Sequence, residues 1–343
     1  MVIVKQVRKS LKQSRRTSLT LAVAMAIMIL AMMGSASPGG ANTIAAGCFH
    51  SLGIKADRTV AAWGYNNENQ CDVPADLRQV VAVAAGYNHS LALKSDGTVV
   101  AWGWNDNGQC SVPPDLINVV AVAAGARANF SLALKTDGSL VGWGDNGYGQ
   151  VNVPPSLGPV AAIAAGDGHT LVLRTDGTVT AWGLNDYYQT DVPKGLSGVV
   201  AVAAGASHSL ALKADGSITA WGRNYYGQGE VPGYVVPATV MAAGLFHNLT
   251  IQTVDAINSG VRAWGRGLEG QTIVPNDLIS PDLLGLPRPV AVSGGGEHSL
   301  ALRADGKVFA WGGNGAGQCD VPPVVFFTGK RPSQAVNLLL FDD

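Results

Sequence analysis

Charge is scarce in this chain of 343 residues: Asp, Glu, Lys and Arg together make up 14%, against 47% hydrophobic residues, a balance that excludes an intrinsically disordered chain. Its 44 glycines follow no Gly-X-Y period, which excludes collagen and favours turn-rich β-structure. Carboxylates are missing altogether from residues 1–36, where Lys5, Arg8, Lys9, Lys12, Arg15 and Arg16 supply all the charge. With those six set aside, 17 basic residues face 24 acidic ones, a net of −7. That remainder lacks the basic footprint that attracts a phosphate backbone, so nucleic acid is not an expected partner. The apolar run Leu19–Met33 has 15 residues, short of the ~20 needed to span a bilayer as a helix. Catalytic signatures are absent as well: there is no zinc-protease helix, nucleophile elbow or phosphate loop.

The basic start, the apolar run and the small residues Gly34, Ser35, Ala36 and Ser37 have the layout of a secretory signal, with cleavage expected after Ala36. The mature protein is therefore expected in the periplasm or medium, touching a membrane only through an uncleaved leader. No cysteine stands at the cleavage site, so a lipoprotein is not indicated. Ser14-Arg15-Arg16 resembles a twin-arginine signal, although Ser18 stands where an apolar residue is expected, and the export route stays open. Residues 37–343 are expected to form a single domain.

Beyond residue 40 the chain repeats. Trp-Gly occurs seven times, at Trp63, Trp102, Trp143, Trp182, Trp221, Trp264 and Trp311, with spacings of 39, 41, 39, 39, 43 and 47 residues. Each Trp is followed seven positions later by Gln70, Gln109, Gln150, Gln189, Gln228, Gln271 or Gln318. In residues 80–116, Val80–Ala85 reads as a buried strand rich in β-branched residues. Ser90–Lys94 alternates as a second strand, Asp96-Gly97 signals a hairpin in which Gly supplies positive φ, and Val99–Trp102 reads as a third strand. The return segment with Pro113-Pro114 makes a full fourth strand doubtful. Seven sheets of three to four antiparallel strands, none able to bury both faces alone, predict an all-β, seven-bladed β-propeller. Val324–Phe327 or Ala335–Phe341 is expected to close the ring beside the first unit.

The string from Val83 to Gly103, with Gly-x-x-His-Ser, Asp-Gly, Trp-Gly-x-Asn and Gly-Gln in order, resembles the repeat of the regulator of chromosome condensation family over about residues 41–324. That resemblance implies a seven-bladed propeller. The short period near 39 and the Gln-x-x-Val-Pro ending are closer in style to the secreted, β-lactamase-inhibitory bacterial branch, which binds protein partners, than to the eukaryotic exchange factor with longer repeats. The export signal and the acidic mature chain weigh against nucleotide exchange on a nuclear small GTPase.

All six histidines, His50, His89, His169, His208, His247 and His298, share one repeat position, with Phe130 in the seventh. Equivalent positions on different blades lie around a circle, whereas metal ligands need to lie within about 2.3 Å of one point. Each histidine is expected to bond nearby backbone, and no metal or cofactor is expected. Cys71, Cys110 and Cys319 also share a repeat position, and they and Cys48 are expected to be small buried thiols. The repeated Gln and Asn are expected to tie loops together.

The residues that break the repeat are more informative. In a three-stranded unit the Gly-x-x-His loop and the Trp-Gly-x-Asn loop emerge at the same end. The first set of loops carries Phe49, Tyr87 and Phe246; the second carries Tyr65, Trp104, Tyr148, Tyr187, Tyr188, Tyr225 and Tyr226. Nothing in blade geometry requires large aromatics there, and Tyr and Trp are enriched anchors of protein interfaces. The expectation is an exported, monomeric, non-catalytic propeller that binds a protein through this face, as an inhibitor or scaffold. The alternatives are packing of the aromatics against neighbouring loops, and a carbohydrate-binding propeller in which they stack on sugar rings.

Overall fold

A computed structural model describes residues 43–253 and 259–328; the expected leader (residues 1–36) and the segment Ala335–Phe341 lie outside them. The described chain forms seven three-stranded antiparallel sheets in sequence order. Blade 1 comprises Ile44–Ala46, His50–Ile54 and Val60–Gly64, and blade 2 comprises Val80–Ala85, His89–Lys94 and Val99–Gly103. Blade 3 comprises Val119–Ala123, Phe130–Lys135 and Leu140–Gly144; blade 4, Val160–Ala165, His169–Arg174 and Val179–Gly183. Blades 5, 6 and 7 begin at Val199, Ala238 and Pro289 and end at Gly222, Gly265 and Gly312. Each inner strand touches that of the next blade, and the seventh returns to the first. The ring is therefore closed, and the three-to-four-strand expectation resolves to three. The Gln-x-x-Val-Pro segments run as turns and extended chain instead of a fourth strand, because proline cannot donate to a ladder.

Inner strands such as Val80–Ala85 carry small residues, and they line a central cavity of about 180 Å³ with alanines from all seven blades. Middle strands are buried along nearly their whole length, as expected for the layer covered on both faces. The Asp-Gly hairpins follow one geometry. Gly97 donates its N–H to Lys94 O, Lys94 donates to Thr98 O, and Gly97 sits at φ +81°. This is a turn followed by a left-handed residue, a bulged hairpin that only glycine enters without a Cβ penalty.

Blades are joined by polar side chains. Trp102 Nε1 donates to the main-chain oxygen of Gln70 in the preceding blade at 2.9 Å, and Ser90 Oγ donates to the same oxygen at 2.8 Å. The Trp bond recurs at all seven interfaces, closing with Trp63 to Gln318 O. Each repeated tryptophan thus fills an interface between blades and satisfies its own N–H there.

The histidines differ from expectation: they bond the next blade's side chain, not nearby backbone. His50 Nε2 lies 3.1 Å from Ser90 Oγ, and the pattern runs His89–Ser131, His169–Ser209, His208–Asn248, His247–Ser299 and His298–Ser51. Because the Ser protons are given to Gln carbonyls, Nε2 must be the donor. The Asn248 case fixes the same direction: its Oδ1 can only accept, while its Nδ2 donates to Gln228 O. The six imidazoles are fully buried and neutral. Loss of hydration pushes their pKa values down to about 3 or 4.

Closure uses both ends of the described chain. Phe326 N donates to Gly306 O, as Val80 N does to Arg58 O, and Phe326 pairs with Lys55 as Val80 pairs with Lys94. Phe327 N then donates to Ile54 O, and Ile54 N donates to Thr43 O. The start of blade 1's inner strand is therefore supplied by the C-terminal segment and its remainder by Thr43–Ala46. The junction falls at the bulge that interrupts the same strand in the other six blades.

Candidate protein-binding face

The two loop sets share one end of the propeller because each blade ties them together. The residue after Trp-Gly donates its N–H to the carbonyl of the residue before the histidine position: Tyr65 to Phe49, Trp104 to Asn88, Arg223 to Ser207, Arg266 to Phe246, and likewise in the other three blades. The second loop is then shaped by its Asn and Gln. Asn185 Oδ1 accepts from Thr190 N at 2.9 Å and Gln189 Oε1 accepts from Tyr187 N at 2.9 Å, so residues 186–188 are held out as a tip. The same bonds form at Asn66, Asn105, Asn146, Asn224 and Asn314. Cys71, Cys110 and Cys319 each donate Sγ–H to a carbonyl of the same loop.

The ten aromatics fall into two tiers. Phe49, Tyr87 and Phe246 are half-buried around Cys48, Ala206 and Leu245, forming an apolar cap built from the first loops. Desolvation in that cap pushes the Cys48 thiol up to about 12. Tyr65 is half-buried, edge-on to Phe49 at 6.4 Å, and Trp104 is half-buried. For these five, packing against neighbouring loops accounts for much of the ring.

Tyr148, Tyr187, Tyr188, Tyr225 and Tyr226 are exposed instead, all on the second loops of blades 3, 4 and 5. Tyr225 is 82% exposed and Tyr188 71%. Tyr188 also holds φ +63°, at a tip position where five other units have glycine and the first has Asn69. An L-residue in this left-handed region costs roughly 1–2 kcal/mol, and the exposed ring recovers little of that by packing.

Repeat logic applied only to aromatics missed Arg223 and Arg266, which occupy the position after Trp-Gly held by Tyr65 and Trp104 in blades 1 and 2. The Arg223 guanidinium lies over Tyr187, Phe246 and Tyr225, with Cζ 4.8, 5.2 and 5.8 Å from the ring centroids. Arg266 lies over Tyr226 at 5.8 Å and pairs with Glu297 at 2.7 Å and Glu269 at 3.6 Å. Tyr226 in turn packs on Tyr225 and Phe246. Rings and guanidinium groups thus alternate across blades 4 to 6. The arrangement offers area and charge, and Glu269 and Glu297 are engaged with Arg266.

The profile described as "Regulator of chromosome condensation (RCC1) repeat" matches residues 80–109, 119–150, 160–189, 199–228 and 290–318. The chain is an RCC1-repeat protein. The units this profile leaves out are the first, whose inner strand is split between the chain ends, and the sixth, which is four residues longer than the common period. No curated protein matches the chain. Among solved structures, Prp20p from Saccharomyces cerevisiae, described with its binding to Gsp1p and histones, is 21% identical, covers 86% of each chain and has a TM-score of 0.63. Yeast RCC1 (Prp20) bound to Kap60 is 22% identical over 78% of this chain and 81% of that one, TM-score 0.61. The ectodomain of the Physcomitrella patens receptor kinase CR4 is 20% identical over 79% and 73%, TM-score 0.64. At these identities the likeness concerns the fold, so what this RCC1-repeat protein binds has to be argued from its own face.

Proposed function

We propose that the protein is an exported, monomeric, non-catalytic propeller that binds another protein through the exposed tyrosines of blades 3 to 5, acting as an inhibitor or scaffold. The observation that carries this reading is Tyr188. A bulky ring is kept at a strained, exposed tip where glycine serves five other units, and its role in the isolated fold is slight. Tyrosine offers a large amphipathic area at low entropic cost, the property wanted in an interface anchor. Prp20p, described with protein partners, supports a binding role for the fold. A lectin assembled from repeats would offer a similar pocket in every blade, whereas the five exposed tyrosines of the second loops occupy three blades of seven.

The test is capture of a partner from the exported fraction of the source on immobilised protein, followed by affinity measurement with variants. Tyr187→Ala and Tyr225→Ala should each weaken binding about 30-fold, the equivalent of ~2 kcal/mol for an interface hot spot. A captured partner whose affinity survives both changes and Trp104→Ala would move the site away from this face, to the Asp-Gly end.

A further inference from the structure

Arg223 and Arg266 hold the same repeat position in adjacent blades, yet only one is neutralised. Arg266 has Glu297 and Glu269 on its guanidinium. Arg223 has no ion pair or side-chain hydrogen bond among the described residues, and its Nε is buried without a partner. The nearby Glu230 is turned toward Asn224, whose Nδ2 donates to its Oε1 at 3.2 Å. Three rings, Tyr187 from blade 4, Tyr225 from blade 5 and Phe246 from blade 6, hold the guanidinium.

We propose that Arg223 is the receptor for a carboxylate side chain, Asp or Glu, presented by the protein partner beside an apolar residue that lies on Tyr225 and Tyr188. This rests on the functional reading above and specifies its chemistry. A guanidinium is a planar fork that meets a carboxylate through two parallel N–H···O bonds. The rings restrict the side chain before binding, which lowers the ordering cost, and they exclude water, which strengthens the pair. Arg266 shows that a guanidinium at this repeat position takes up carboxylates, here through one oxygen each of Glu297 at 2.7 Å and Glu269 at 3.6 Å. The overall charge selects the source of the anion. A net of −7 beyond residue 36 disfavours a polyanion such as a nucleic acid, while a single carboxylate on a protein loop meets the unpaired Arg223 guanidinium locally.

A phage-displayed library of random cyclic heptapeptides, selected on the immobilised full chain, tests this with a defined probe. The expected result is a consensus with one Asp or Glu next to an aromatic or aliphatic residue. Binding should fall ten-fold or more with Arg223→Gln, less with Arg223→Lys, and ten-fold or more when the peptide acid is changed to its amide. The acid-to-amide change should then have no further effect on Arg223→Gln protein, with thermal unfolding of both variants unchanged. Peptides that need Tyr225 but carry no acid, or bind Arg223→Gln normally, would overturn the carboxylate assignment and leave the face standing. Peptides indifferent to both Tyr225→Ala and Arg223→Gln, or no enrichment at all, would overturn the assignment together with the face.

Discussion

The ring of Phe326 occupies the space into which a Cβ on Gly53 would project. Gly53 is the one glycine at a middle-strand position held by Ala92, Ala133, Val172, Ala211, Thr250 and Ala301 in the other blades, and Phe326 is the one aromatic at an inner-strand position held elsewhere by Val80, Val119, Val160, Val199, Ala238 and Pro289. Where the two chain ends meet, a small-for-large exchange seats a ring that also packs on Trp63 at 5.9 Å.

Closure should accordingly depend on this pair. Phe326→Ala should cost ~3–5 kcal/mol, as expected for truncating a fully buried aromatic, and Gly53→Ala should destabilise by overpacking. Gly53→Ala combined with Phe326→Val, which gives these two positions the residues Ala92 and Val80 that blade 2 has there, should be more stable than the sum of the single changes allows. Urea unfolding of the four proteins measures the coupling; strict additivity would show that the two side chains do not share one space.

The histidine ring makes stability sensitive to mild acid. Each imidazole titrates near 6.5 when unfolded and at about 3 or 4 when folded. The unfolded state therefore binds more protons below pH 6.5, so stability is full above that pH and falls as pH drops toward 4. Each histidine adds up to ~1.4 kcal/mol per pH unit to the slope. Between pH 6 and 5, His169→Phe, which copies Phe130, should reduce the slope of unfolding free energy by nearly one proton. An unchanged slope would mean that His169 is protonated in the fold.

Core and face should separate cleanly. Trp102→Ala removes a buried ring and its bond to Gln70 O and should cost ~3–5 kcal/mol. Tyr225→Ala, at an exposed tip, should change stability by less than ~0.5 kcal/mol. Calorimetric melting of both compares them directly; similar losses would make the tip aromatics part of the fold.

Tyr188→Gly should leave melting unchanged or raise it, because relief of the left-handed backbone offsets the added entropy of the unfolded chain. The same change should weaken partner binding. A marked loss of stability would show that the ring packs.

Much of the fold was legible because the repeat carries its own registration. Trp-Gly, the glutamine seven positions on and Asp-Gly place the strands, while the proline of the return segment makes a fourth strand doubtful and leaves the choice between three and four to the structure. The histidine partners were less legible: each bonds a residue about 40 or more positions away on another blade, so the Ser beside it in sequence is not the one it meets. Phe326 could be offered as a closing segment, but the division of one strand at its bulge rests on register across the chain ends. At the face, repeat-breaking aromatics include both exposed Tyr188 and Tyr225 and half-buried Phe49, Tyr87 and Phe246, which form the apolar cap around Cys48. Exposure depends on how neighbouring loops lean, which one unit's sequence does not encode. Arg223 breaks the repeat as clearly as the aromatics do, but a criterion of ring size does not select it.

Amide hydrogen exchange on the protein with and without its captured partner tests the central claim most directly. The account predicts slowed exchange in the second loops of blades 3 to 5, around Gly147–Gln150, Leu184–Gln189 and Arg223–Gln228, with the Asp-Gly hairpins around Asp96 and Asp176 unchanged. Protection confined to those hairpins, at the opposite end of the propeller, would contradict it.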